Sequence, residues 1–115
     1  MIRGDSSEYE LLKEWVNTLP FFTEAPQVLT CEIGVREGLG SKIIMDGIKA
    51  RLPGVPYKHV AIDPYNNLKY QHYDDSPAYT ADYTDDMRKQ MEIDFKDYPE
   101  FRFHHMTDVE FMNTH

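Results

Sequence analysis

The chain has 115 residues, enough for one domain with a single core and too few for two. Hydrophobic residues at 41% and aromatics at 13% exclude wholesale disorder, and 20 acids against 12 bases, a net charge of −8, argue against a broad nucleic-acid-binding surface. No apolar run approaches the ~18 residues of a membrane span, and the N-terminus M-I-R-G-D-S-S-E is polar, so no membrane attachment and a cytoplasmic location are expected.

Ser7-x-x-Glu10 has the pattern of a capping box, and Tyr9, Leu11, Leu12, Trp15, Val16 and Leu19 then recur at helical spacing, which predicts a leading helix over about 6–19. Tyr9 and Trp15 are expected to be packing residues more than cofactor contacts, with a minor binding role as the alternative. Residues 21–26 read as a linker. The next stretch, Val28-Leu29-Thr30-Cys31-Glu32-Ile33, is β-rich and nearly continuous in apolar character, as for a central parallel strand covered on both faces. A buried, inert thiol is expected for Cys31, the single cysteine.

That strand runs into C-E-I-G-V-R-E-G-L-G-S at 31–41, where Gly34, Gly38 and Gly40 make a turn that enters a helix near Ser41. Glycine suits such a turn because it reaches positive φ and lets a ligand approach where a Cβ would obstruct. A Walker loop needs G-x-x-x-x-G-K-[ST], but here Ser41 separates Gly40 from Lys42 and Val35 stands where the first glycine should be. A dinucleotide turn needs G-x-G-x-x-G, but three residues separate Gly34 from Gly38, and one of them, Glu37, would oppose a pyrophosphate. After the turn, Ile43, Ile44, Ile48 and Leu52 form an apolar stripe, and Gly47 is read as permitting close approach of helix to sheet. This helix stops before Pro53.

A second strand over about 58–62 ends at Asp63, further from the glycine turn than the roughly 20 residues usual for a ribose-binding acid. The tyrosine-rich stretch from 63 to 79 reads equally as a ligand-bordering loop and as a surface loop with aromatic anchors. Helical spacing of Tyr83, Met87, Met91 and Phe95 predicts a helix over 80–96, with the Met and aromatic stripe in the core and the acids on a solvated face. A third strand follows over 101–106, then a turn at Thr107 and Asp108, then the first turn of another helix. His104 and His105 alternate across the strand and are read as structural rather than as ligands of one ion; no metal site is expected.

The acidic-x-Gly-x-x-x-Gly-x-Gly turn at Glu32 to Gly40, followed by A-I-D-P-Y at 61–65, resembles class I S-adenosylmethionine-dependent methyltransferases, and most of all their small-molecule and sugar O-methyltransferase and antibiotic-tailoring branch. The resemblance covers about 28–108. It implies an α/β, Rossmann-like three-layer sandwich with about three parallel strands and flanking helices. It further implies that Glu32, Gly34, Gly38, Gly40 and Ser41 surround the amino-acid end of S-adenosylmethionine, that Asp63 takes its ribose and that Asp108 takes its adenine.

The order helix, strand, helix, strand, helix, strand corresponds to the cofactor half of that fold. The fourth strand and the wall that receives a methyl acceptor have no counterpart in the sequence, and no general base is identifiable. A truncated enzyme acting on a small molecule is therefore expected, with the open edge of the first strand covered by a second copy of the chain or by a missing C-terminal half. A non-catalytic binding or assembly module and a fragment of a related tailoring hydroxylase are the alternatives.

Overall fold

A computed structural model describes residues 2, 4, 9–18, 27–65, 69–70, 79–80 and 83–115. The chain is α/β: three parallel strands, β1 (Val28–Ile33), β2 (Tyr57–Ile62) and the later β5 (Phe101–His104), lie in the order β1-β2-β5. Helix α1 (Tyr9–Thr18) precedes β1, α2 (Leu39–Arg51) joins β1 to β2, α3 (Asp85–Asp94) precedes β5 and α4 (Asp108–Thr114) follows it. Between β2 and α3 lies a small antiparallel pair, β3 (Lys69–Tyr70) with β4 (Tyr79–Thr80). Strand β3 falls inside the stretch expected to be a loop, and β4 spans its end, with Thr80 where the next helix is expected to start. His72, Asp74 and Asp75 of that stretch, the Ser7 end of the leading helix and the linker at 21–26 lie outside the described residues.

Parallel register places Thr30 beside His59 and Glu32 beside Ala61, while His59 and Ala61 pair with Phe101 and Phe103. Alternation along each strand puts these six side chains on one face. Helices α2 and α3 cover that face through Met45, Met91 and Phe95, which join Val35, Ala61 and Tyr65 in the buried core, and the Phe95 ring stacks on Phe101 at 4.3 Å. Burial of a side chain such as Met91 or Phe95 is worth roughly 1.5–3 kcal/mol, so the every-fourth-residue stripe is what fastens α3 to the sheet.

Two expectations change on the opposite face. Leu29, Cys31 and Ile33 are exposed there, Leu29 at 67% and Ile33 at 65%, so β1 is covered on one face and not on both. Cys31 is accordingly exposed and not buried. The composition of β1 is apolar enough for a doubly covered strand, but which face receives a helix is decided by tertiary packing. Among the described residues β1 has a strand partner on one side only. Helix α4 belongs to the opposite face, where the Phe111 ring meets His104 at 5.0 Å.

Helix α3 starts at Asp85, later than the sequence pattern suggests, because Thr84 adopts extended backbone and its hydroxyl accepts from the Met87 amide at 3.2 Å. Helix α4 carries a full capping box between Thr107 and Glu110. Gly47 serves a different neighbour from the one expected. A Cβ there would meet Val16 Cγ1 at 2.5 Å, so this glycine admits α1 rather than the sheet. The contact is reinforced by Arg51, whose Nη1 donates to the Val16 carbonyl at 2.8 Å.

Candidate functional site

The turn between β1 and α2 owes its shape to three residues with positive φ: Gly34 at 89°, Arg36 at 58° and Gly38 at 106°. Asp63, one residue past β2 and 3% exposed, braces it. Its Oδ2 accepts from the amides of Val35 at 2.8 Å and Arg36 at 3.0 Å, and its Oδ1 accepts from the Tyr65 amide at 2.9 Å. A buried carboxylate with three amide donors is well compensated for its lost hydration. Tyr65 closes the brace from the other side, with its hydroxyl donating to the Arg36 carbonyl. Burial, followed by the nearby Asp63 charge, pushes the Tyr65 phenol strongly up and keeps it a donor.

Beside this turn an open cleft of about 710 Å³ runs between α1 and the carboxyl end of β1. Tyr9, Leu12 and Trp15 form its helical wall, and Glu32, Gly34 and Arg36 form the other. Trp15 is 60% exposed, so it faces the cleft and not the core, contrary to its expected packing role. A Cβ built on Gly34 meets nothing within 4 Å, which leaves the backbone open to a ligand at that point. The cleft thus offers aromatic and aliphatic surface on one side, with a carboxylate and a bare stretch of backbone on the other.

Glu32 is held from behind. Its Oε1 accepts from the Ser41 hydroxyl at 2.5 Å, and its Oε2 lies against Gly40 in the first turn of α2, where the helix dipole favours negative charge. Ser41 is fully buried, and its Oγ is 3.1 Å from Nε2 of His59, which is also fully buried. On the other side of the ring, His59 Nδ1 lies 2.7 Å from Thr30 Oγ1, and Thr30 lies 2.5 Å from the Tyr57 hydroxyl. A continuous chain Tyr57, Thr30, His59, Ser41, Glu32 therefore crosses the covered face of the sheet and ends at the cleft.

The residues expected from the sequence are only partly brought together. Glu32 and Gly34 line the cleft. Gly40 and Ser41 stand directly behind Glu32. Gly38 is buried against the Phe95 ring, and Asp63 faces inward to the turn. Asp108 is exposed at the start of α4 and is not part of the cleft wall. His59 and Thr30 were missed. Their signal was the shared parity of 30, 32, 57 and 59 on two adjacent parallel strands, which depends on the register and not on either strand alone. Among the described residues no group of three His, Cys, Asp or Glu is placed to hold a metal, and no helix is long and apolar enough to cross a membrane. The chain matches no protein-family model, no curated protein and no solved structure.

Proposed function

We propose that this chain is the S-adenosylmethionine-binding portion of a methyltransferase acting on a small molecule or sugar. The observation that carries the reading is the Glu32 carboxylate, fixed at the carboxyl end of β1 beside the bare Gly34 backbone and opposite Tyr9 and Trp15. That set suits a ligand with an ammonium group at one end and flat, weakly polar surface at the other. A phosphate-bearing nucleotide suits it less, because Glu32 would repel it, and the amides of Val35 and Arg36 that could cradle an anion are already bonded to Asp63.

Bound S-adenosylmethionine supplies an electrophilic methyl group on a sulfonium. This chain's residues bind and orient it: Glu32 takes the ammonium end, and the aromatic wall of α1 excludes water. Asp63 acts one step back by holding the turn in shape, so its contribution to the ribose end is indirect. Rate enhancement in such a transfer comes largely from alignment of donor and acceptor.

A calorimetric titration of the purified chain with S-adenosylhomocysteine tests the reading, with NAD as the control ligand. Saturable binding that Glu32→Gln weakens about tenfold, the size expected for one lost charge-assisted contact, is the expected result, together with no response to NAD. No binding by the folded wild-type chain overturns it.

A second reading, a binding or assembly module without catalysis, draws on the exposed apolar side chains of Leu29 and Ile33 along the open face of β1. Sedimentation separates the two. Association that Leu29→Lys abolishes, in a chain that does not bind S-adenosylhomocysteine, would support the module.

A further inference from the structure

We infer that His59 is a positioning residue, which through Ser41 fixes the Glu32 carboxylate in one orientation at the cleft wall, ready for the ammonium group of an aminoacyl ligand. This rests on the reading above and deepens it by naming how the site holds its charged anchor.

Donor counting supports the assignment. Ser41 has one hydroxyl hydrogen, and at 2.5 Å it belongs to Glu32 Oε1, because an ionised carboxylate only accepts. The Ser41 oxygen, 3.1 Å from His59 Nε2, can then only accept from the ring. Nε2 therefore carries a hydrogen whatever the charge of the imidazole. In the neutral ring Nδ1 is the acceptor, Thr30 donates to it at 2.7 Å, and Thr30 in turn accepts from Tyr57 at 2.5 Å. Every hydrogen in the chain then points toward Glu32. Burial pushes the Tyr57 phenol up to about 12, which keeps the far end of the chain a donor at neutral pH.

His59 reaches the cleft through Ser41 alone, while its ring also stacks on Phe101 at 6.2 Å. Its ring is fully buried, away from the cleft, and lies 3.9 Å from Glu32 Oε1, too far for a direct hydrogen bond. Without the Nε2 hydrogen, the Ser41 hydroxyl would have no donor to orient it. Glu32 would then be free to turn away from the site that Ser41 and Gly40 define.

Trp15, the single tryptophan, stands in the cleft wall, so its fluorescence is the readout chosen for binding. Wild type, Ser41→Ala, His59→Leu and His59→Gln would be titrated with S-adenosylhomocysteine and with 5′-methylthioadenosine, which lacks the amino-acid end. The expected result is about tenfold weaker S-adenosylhomocysteine binding by Ser41→Ala and His59→Leu, with 5′-methylthioadenosine changed by less than about twofold. His59→Gln, which keeps an N–H donor, should recover most of the loss. Unchanged S-adenosylhomocysteine binding by a folded Ser41→Ala, or equal loss of both ligands, overturns the inference.

Nitrogen NMR of the His59 ring provides a readout independent of ligand. A neutral ring protonated at Nε2 in wild type, giving way to a tautomer mixture in Ser41→Ala, supports the positioning role even if wild type binds neither ligand, an outcome that would overturn only the cofactor reading. A neutral ring protonated at Nδ1 overturns the inference outright.

Discussion

Gly40 and Glu32 occupy each other's space: a Cβ on Gly40 would come closer to Glu32 Oε2 than the 3.0 Å that real Cβ atoms keep. The glycine is thus the floor on which the carboxylate rests. Gly40→Ala should improve intrinsic helix propensity by up to about 1 kcal/mol and yet displace Glu32 from its seat. The expected outcome is near-unchanged thermal stability with about tenfold weaker binding of S-adenosylhomocysteine, measured by Trp15 fluorescence. A variant that binds as tightly as wild type would mean that Glu32 is not the anchor.

Asp63 has a structural task that can be measured without ligand. Replacing it by alanine leaves the amides of Val35, Arg36 and Tyr65 without their acceptor inside a buried turn. Each buried donor left unsatisfied costs about 1–3 kcal/mol, and Asp63→Asn, which retains one acceptor oxygen, should cost less. Urea denaturation of the unliganded chain checks this. An Asp63→Ala midpoint equal to that of wild type would return Asp63 to a purely ligand-facing role.

The legible and illegible parts of this chain divide along a physical line. The span of β1, the glycine turn, the Met91 and Phe95 stripe and the parallel order of strands follow from local chemistry: β-branched runs, positive-φ requirements and helical periodicity. Local pattern could not show which face of β1 is covered, and so Cys31 reads as buried when it is exposed. Gly47 likewise announces a close approach without saying to what. The His59 chain needed the register of β1 on β2, and the inward turn of Asp63 needed the path of the backbone after β2. Thr84 was the exception, a capping residue whose signal was present but was outweighed by the periodicity running past it.

Cys31 should react slowly for an exposed thiol. Partial burial, and then the adjacent Glu32 charge, raise its pKa above the ordinary value, which lowers the fraction present as thiolate at neutral pH. Alkylation by iodoacetamide should therefore be slower than that of the unfolded chain in urea. Glu32→Gln should speed it by removing the smaller of the two causes. A native rate equal to the unfolded one would show that neither burial nor Glu32 restrains the thiol.

Alkaline stability should reflect the phenol at the head of the hydrogen-bonded chain. Tyr57 is raised from 10.0 to about 12, chiefly by burial. An acid with a raised folded-state pKa holds its proton in the native chain after the unfolded chain has released it. Its stabilising contribution is therefore complete below pH 10 and is lost as pH climbs from about 10 to about 12. Tyr65 is raised further and acts in the same direction. Urea midpoints measured at stepped pH should fall across that window, and Tyr57→Phe should make the fall shallower. Tyr57→Phe also removes the hydroxyl from Thr30, so the slope against pH, and not the absolute midpoint, is the quantity that tests the phenol. A slope unchanged by the substitution would show that Tyr57 ionises alike in the folded and unfolded chains.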